Sequence, residues 1–286
     1  MRNEELEIAM NLARRAGALI LDFYEKGVER EEKIGADNFR EAVTIADRKA
    51  SELIVEGLQK AFPDDGILSE EETDLPNRLS KQRVWIIDPL DGTLGFINRL
   101  DDFAVQIGLT ENGKVILGVV FLPVENALYF ATVGGGAFLV KENGAIMRLQ
   151  VSGKTDFSQM NLAVSRDHRS QKINAIKQRL GITREAQRGS VGIKVGLLAT
   201  QVCDLYIHLS PRTKFWDACA PQIILQEAGG RFTDLFGAEF HYDIYDVQNH
   251  NGIVATNGVS HEKVLKALKP LLGEFGRLRV KSARRN

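Results

Sequence analysis

VWIIDPLDGTLGF, residues 84–96, sets a short apolar run directly against two aspartates and a Gly-Thr pair. Val84, Trp85, Ile86 and Ile87 are β-branched or aromatic and too few for a helix, so a buried strand is expected there. Pro89 fixes its own φ, lacks an amide proton and biases Asp88 away from helical geometry, so the strand is expected to stop at Asp88 and turn. Gly92 relaxes the backbone, and Thr93 is placed to cap a following helical turn. Such a turn brings Asp88 and Asp91 together at the carboxyl end of a strand, with the Gly92 and Thr93 amides facing outward. Paired carboxylates attract a divalent cation, and exposed amides attract a phosphate. An isolated Asp-Gly turn also has an ordinary reading, with Asp91 or Thr93 as a helix cap, so the rest of the chain decides.

With 286 residues the chain has enough length for one large domain or two closely packed lobes. Its 37 basic and 38 acidic residues leave a formal charge of -1, so no global field favours a nucleic-acid polymer or an anionic membrane. Any anion must be bound locally. Cys203 and Cys219 are the only cysteines, too few for a disulfide framework or a zinc site, and both are expected to be reduced packing residues. The amino terminus MRNEELEIAMNLARRAG is acidic and amphipathic, unlike a signal peptide, and runs such as VILGVVFLPV are too short to span a bilayer. A cytoplasmic protein is the expectation.

Leu6, Ala9, Met10, Ala13, Ala16, Ile20 and Tyr24 recur at helical spacing before Gly27 and predict an opening amphipathic helix. Residues 28–41 are charged and poor in apolar groups, which predicts a loop that either lies over a site or merely connects. A second helix is expected from about Ile45 to Phe62, with Ala46, Ala50, Leu53, Ile54, Gly57 and Leu58 facing inward. Asp47 falls beside that stripe in the first turn. It either complements the helix dipole or meets a partner across the fold. ILSEEE then leads from a short strand into three acids, with Glu70 nearest the strand end.

Strands are expected at Ala104–Thr110, Val115–Pro123, Ala127–Val133, Ala137–Val140 and Ala145–Val151, and the ENGK and KENGA linkers make them an antiparallel sheet. Gly134–Gly136 reads as a turn or bulge, since no lysine-bearing P-loop pattern follows. From Leu162 the pattern alternates strand and helix, as in α/β layers. NLAVS leads into Arg166, Asp167 and His168, and a helix follows through Leu180. Another helix begins near Ser190, VCDLYIHLS is a strand, and FWDACAPQIILQEAGG is a helix with Asp217 in its first turn and Gly229 at its end. Strands at Arg231–Asp234 and Gly252–Thr256, a helix over Val259–Leu272 and a frayed basic tail, RLRVKSARRN, complete the chain. The division of character places an N-terminal α+β lobe at residues 1–155 and a C-terminal α/β lobe at 156–286.

Asp47, Glu70, Asp88, Asp91 and Asp217 each fall at a strand end or a helix start, where α/β proteins place ligands. Oxygen-only ligands favour magnesium over zinc. Magnesium beside phosphate-holding amides implies phosphoester hydrolysis.

DPLDGT at 88–93, SEE at 69–71 and WDACAPQIILQEAGG at 216–230 resemble, in order and spacing, the signatures of the inositol monophosphatase superfamily of magnesium-dependent, lithium-sensitive phosphatases. The resemblance covers nearly the whole chain. It implies a layered αβαβα sandwich of the inositol monophosphatase and fructose-1,6-bisphosphatase type, with two or three Mg2+ ions per site. Their ligands would be Glu70, Asp88, the Leu90 carbonyl, Asp91 and Asp217. It also implies that Asp47 and Thr93 form a pair orienting the attacking water, and that the Gly92 and Thr93 amides bind phosphate.

Within the superfamily the chain is most similar to the 3'(2'),5'-bisphosphate nucleotidases. SRDH at 165–168 resembles their Ser-Arg-x-His segment, GSVGIK at 189–194 their Gly-Ser-x-x-x-Lys segment, and WDACAP their Trp-Asp-Thr-Cys-Ala-Pro form. Ser165, His168, Ser190 and Lys194 are thereby assigned to the ribose and second phosphate of a small nucleotide such as adenosine 3',5'-bisphosphate. The plainer reading makes His168 and Ser190 a strand-to-helix cap and Lys194 a surface lysine. Proteins of this kind are often homodimers, and no stretch here marks an interface.

Two departures bear on substrate. Ser210 stands where inositol phosphatases commonly carry a glutamate for a ring hydroxyl, and Leu94-Gly95-Phe96 replaces the Lys-Glu-Phe frequent in the nucleotidases. The first counts against inositol and the second against the nucleotide, which leaves broad specificity or a fructose bisphosphate open beside the alternative of an inositol-1-monophosphatase. DPLDGTL also resembles the aspartyl-phosphate motif of haloacid-dehalogenase-type phosphatases, but there the two acids lie two residues apart, and no later Gly-Asp motif follows. A non-catalytic metal or nucleotide sensor is a different class of answer, and nothing in the sequence points to inactivation.

Overall fold

The computed structural model describes residues 3–34, 40–166 and 170–281. In chain order the helices are α1 (Asn3–Lys26), α2 (Ile45–Ala61), α3 (Thr93–Ile97), α4 (Lys172–Leu180), α5 (Val191–Ala199), α6 (Phe215–Glu227) and α7 (His261–Glu274). The strands begin with β1 (Glu31–Ile34), β2 (Arg40–Val43), β3 (Gly66–Ser69), β4 (Arg83–Asp91), β5 (Ala104–Glu111), β6 (Lys114–Leu122) and β7 (Ala127–Thr132). They continue with β8 (Gly136–Val140), β9 (Ile146–Arg148), β10 (Asn161–Ser165), β11 (Arg184–Arg188), β12 (Leu205–His208), β13 (Arg231–Thr233) and β14 (Ile253–Thr256).

Strands β3 to β9 lie side by side in chain order as a seven-stranded sheet, antiparallel except for the parallel pair β3 and β4. The other large sheet has the order β11-β10-β12-β14-β13, with β10 parallel to both its neighbours. Side-chain alternation along the strands turns these two sheets into five layers. On β4, Trp85 and Ile87 join α1 and α2 in one core, while Val84 and Ile86 face α5 and α6 in another. On β10 and β12, Ala163 and Tyr206 face that same central core, while Leu162, Val164, Leu205 and Ile207 meet α4 and α7. The result is the layered αβαβα sandwich that the sequence resemblance implies. Helices α5 and α6 lie between sheets and are apolar nearly all round, as a doubly covered helix must be.

Close contact under α6 depends on two glycines that pair across β5 and β6, Gly108 and Gly118. A Cβ on Gly108 would stand 2.6 Å from Cys219 Sγ, and one on Gly118 would stand 2.6 Å from the Ala220 carbonyl. The helix that carries Asp217 therefore rests on bare backbone. Cys203 and Cys219 are free and buried.

Several boundaries differ from expectation. Strand β4 does not stop at Asp88: pairing with β5 shifts register between Asp88 and Asp91 and resumes with Asp91 opposite Ala104. Pro89 sits in that bulge, where its missing donor breaks no ladder bond. The charged stretch from 28 holds an antiparallel β1–β2 pair in place of an open loop, its residues 35–39 lying outside those described. Strand β11, REAQR, was not expected because it is a polar edge strand with no apolar alternation. The basic tail is held as far as Val280, whose amide donates to Asn251 Oδ1 at 2.8 Å, and Arg277 Nη2 donates to the His250 carbonyl at 3.1 Å. Among the described residues no helix is long and apolar enough to cross a membrane.

One packing feature has a pH signature. His261 is fully buried, with Nε2 3.0 Å from Thr233 Oγ1 and Nδ1 3.0 Å from Thr256 Oγ1. Burial, helped by Arg231 and opposed by Glu262, pushes its imidazole down from 6.5 to about 4. Between those values the unfolded chain binds the proton that the native state refuses. This contribution is therefore complete above the unfolded pKa and is lost as pH falls toward about 4. The expected loss is about 2–3 kcal/mol. It is read as the difference between wild-type and His261→Gln denaturation midpoints at successive pH values; parallel curves would sink it.

Candidate active site

The bulge in β4 shapes the floor of the site. Asp88 Oδ1 accepts the Leu90 amide at 3.1 Å, which folds the chain back at Pro89 and brings Asp91 round beside Asp88. Gly92 follows at φ 100°, and α3 starts at Thr93. A Cβ at Gly92 would stand 2.6 Å from the Asp102 carbonyl, so glycine is required there by both φ and space. The expected cap is absent. Gly92 occupies the N-cap position, and the Thr93 hydroxyl instead points to Asp47 Oδ1 at 3.1 Å and the Leu90 carbonyl at 3.2 Å.

Asp47 is 2% exposed and serves two partners. Its Oδ2 accepts the Thr44 amide at 2.8 Å and the Thr44 hydroxyl at 2.6 Å in the capping box of α2. Its Oδ1 faces Thr93. The dipole reading and the cross-fold reading of this acid thus both hold. Burial pushes its carboxyl up to about 6; the Thr44 and Thr93 hydroxyls work against this, and Glu70 adds to it.

Asp217, in the first turn of α6, accepts the Lys214 amide at 2.5 Å. Carboxylate oxygens of Asp88, Asp91 and Asp217 all lie within 4.8 Å of one another. Burial and repulsion from neighbouring acids carry Asp88 and Asp217 well above the ordinary carboxylate range, with Glu70 adding to both. Asp91 rises by burial, opposed by Lys194, the Ser190 hydroxyl and the Gly192 and Val191 amides. Glu70 follows β3, its amide bonded to the Ile87 carbonyl at 3.1 Å and its carboxylate paired with Lys33 at 2.9 Å. Lys33 also pairs with Glu71, and the two acids raise the lysine against its desolvation. A cluster of hard oxygen donors that repel one another in a buried floor fits a divalent cation of the magnesium type.

A cavity of about 560 Å³ opens above this floor. Arg30, Lys194, Arg212 and Lys214 supply cations to its lining, and Trp216 an aromatic face. Lys194 is buried, not a surface lysine. Its Nζ donates to the Gly189 carbonyl at 2.6 Å and the Arg188 carbonyl at 3.2 Å, over the Tyr206 ring. Ser165 and Ser210 reach the same lining, and Ser210 Oγ accepts the Arg212 amide at 3.2 Å. Ser190 is not in that lining. It is fully buried, caps α5 through the Ile193 amide at 3.1 Å and donates to Asp91 Oδ2 at 2.5 Å. His168 lies outside the described residues.

The sequence reading missed Arg30, Lys33, Gln106, Arg212, Lys214 and Trp216. Only Gln106 carried a signal, as the lone amide in the apolar strand AVQIGL. Arg30, Arg212, Lys214 and Trp216 are ordinary in their local context and gain meaning from the cavity, and Lys33 from its pairing with Glu70 and Glu71.

The chain matches the profile of the Inositol monophosphatase family over residues 1–272. It is 36% identical over 242 residues to 3'(2'),5'-bisphosphate nucleotidase CysQ of Escherichia coli K12, covering 83% of this chain and 93% of that protein. A fructose-1,6-bisphosphatase/inositol-1-monophosphatase of Thermotoga maritima is 30% identical over 274 residues, covering 96% and 99%. The solved structure of a Thermotoga maritima IMPase superposes with a TM-score of 0.80 at 29% identity, covering 96% of this chain and all of that one.

Proposed function

This chain belongs to the inositol monophosphatase family of phosphatases, and from that premise we propose that it is a cytoplasmic, magnesium-dependent phosphomonoesterase acting on a small bisphosphate. Adenosine 3',5'-bisphosphate, hydrolysed to AMP and phosphate, is the substrate we assign. The observation that carries this reading is the wall of the cavity: four cationic residues, Arg30, Lys194, Arg212 and Lys214, line it together with the carboxylate floor. A divalent cation held by the floor would offset the acids and bind the scissile phosphate, so cations on the wall favour a second anionic group on the substrate. Ser210 supports the same choice, because it offers no carboxylate to a ring hydroxyl, and Trp216 offers a face for a base. The 36% identity to the CysQ nucleotidase agrees.

In this reading Glu70, Asp88, the Leu90 carbonyl, Asp91 and Asp217 hold the metal. Bound magnesium would polarise the phosphate oxygens and acidify a coordinated water. The chain's own part is orientation and proton handling. Thr93 donates to Asp47 and so turns its oxygen lone pairs toward the water; as the water gives a proton to the Thr93 oxygen, the hydroxyl's own proton passes to buried Asp47, leaving hydroxide to attack the phosphate and Asp47 protonated. The Gly92 and Thr93 amides bind phosphate oxygens, and Ser165 and Lys194 act on the remote part of the substrate. Inhibition by lithium belongs to the same proposal.

A second reading, fructose 1,6-bisphosphate, is favoured by the full-length similarity to the Thermotoga protein. Phosphate release from adenosine 3',5'-bisphosphate, fructose 1,6-bisphosphate and inositol 1-phosphate, measured in parallel with and without Mg2+, separates them. The nucleotide is expected to lead in kcat/KM by roughly tenfold or more. A lead for fructose 1,6-bisphosphate would transfer the assignment, and a lead for inositol 1-phosphate would remove the role given to the cationic wall.

A further inference from the structure

One oxygen of Asp91 gathers a dense set of hydrogen bonds. Its Oδ2 accepts three hydrogen bonds, from Ser190 Oγ at 2.5 Å, Gln106 Nε2 at 2.7 Å and the Gly192 amide at 3.0 Å. Together these exhaust what a carboxylate oxygen can accept. A ligand oxygen of the same carboxylate lies within 4.8 Å of ones on Asp88 and Asp217. We infer that Ser190, Gln106 and the Gly192 amide form a cradle built to aim Asp91 at a metal ion. Ser190 and Gln106 are then positioning residues for that ion, and Ser190 is not a substrate ligand.

Three details indicate that the cradle is organised around Asp91. A carboxylate only accepts, so it dictates that the Gln106 amide presents its NH2 group. The cost is visible, since Gln106 Oε1 is buried with no partner. Gly192 has no room for a side chain: a Cβ there would stand 2.8 Å from Val120 Cγ1 and 3.0 Å from Gln106 Oε1. Ser190 spends its one proton on Asp91 and accepts the Ile193 amide, and it is fully buried away from the cavity. The cradle draws on β5 and the start of α5, so it ties Asp91 to both sides of the central core.

This inference rests on the reading of Asp91 as a metal ligand, and the test separates the two. Mg2+ binding to the full chain is measured by titration calorimetry, with Mn2+ as a second probe, for wild type, Ser190→Ala, Ser190→Thr, Gln106→Leu and Asp91→Asn. Circular dichroism checks each fold. Loss of such supporting partners lowers metal affinity by about 10–100-fold, which is the effect expected for Ser190→Ala and Gln106→Leu. Ser190→Thr keeps the hydroxyl and is expected to restore binding. KM at saturating Mg2+ should not move. Wild-type metal affinity in both Ser190→Ala and Gln106→Leu overturns the cradle, as does a Ser190→Ala variant whose only change is a raised KM. If Ser190→Ala does not fold, Gln106→Leu decides alone. A wild-type chain that binds Mg2+ and releases no phosphate sinks the phosphatase reading, and the affinity comparison still decides the cradle.

Discussion

Asp88→Asn is expected to make the metal-free protein more stable and the enzyme nearly inactive. Asp88 is 1% exposed, and burial together with Glu70, Asp91 and Asp217 raises its carboxyl well above the ordinary range. A native acid that holds its proton more tightly than the unfolded chain loses stability as pH rises past the unfolded pKa, so at neutral pH this carboxyl opposes folding. Asparagine keeps an oxygen for the Leu90 amide and removes the charge. Relief of the repulsion is worth about 1–2 kcal/mol, or a few degrees in the melting temperature without metal. The same change removes an anionic ligand of the proposed metal, and since such an ion would supply several kcal/mol to the transition state, kcat/KM should fall by about 10³-fold. Wild type should gain stability on adding Mg2+, by about 2.7 kcal/mol at a hundredfold excess over Kd, and the variant should gain far less. Melting curves with and without Mg2+, set beside activity, check all three signs. An Asp88→Asn protein that melts lower than wild type without metal would mean the cluster is not strained.

Thr93→Val tests the other half of the proposed chemistry. Valine matches the shape of threonine but cannot hydrogen-bond to Asp47 or the Leu90 carbonyl. Asp47 keeps both of its Thr44 partners, so the start of α2 should survive. General acid–base assistance contributes about 10²–10⁴-fold, and kcat is expected to fall by that order while Mg2+ affinity stays close to wild type. Asp47→Asn should give a similar loss in kcat. The loss should not be additive in the double variant, because the two groups act as one unit. Full additivity, or a Thr93→Val variant whose defect disappears with more Mg2+, would remove the pair from the proton step.

Much of this arrangement can be read from the chain because the strongest local signals coincide with tertiary constraints. The run at 84–87 needs two apolar faces, and DPLDGT cannot continue a regular ladder. The antiparallel meander follows from Gly-bearing hairpin turns. What escaped the reading was whatever depends on a distant neighbour. Strand β11 is polar because it is an edge, and the pairing of β1 with β2 carries no apolar pattern at all. The extension of β4 to Asp91 rests on a partner, Ala104, that accepts the bulge. Ser190 shows the same limit at the level of one side chain. Its sequence neighbours mark it as polar and at a helix start, but only the folded chain shows that its proton goes to Asp91.

The bare backbone of Gly108 and Gly118 beneath α6 has a consequence for how the protein comes into being. Residues of the seven-stranded sheet leave the ribosome well before Asp217, and until then the strip over β5 and β6 has nothing on it. The docking of α6 and the arrival of the third acid of the cluster are one event, because Cys219 and Ala220 make the contact that sets Asp217 beside Asp88 and Asp91. The nascent chain cannot assemble the three-acid floor early. The floor is complete only once the residues of α6 have been made and packed onto the two glycines.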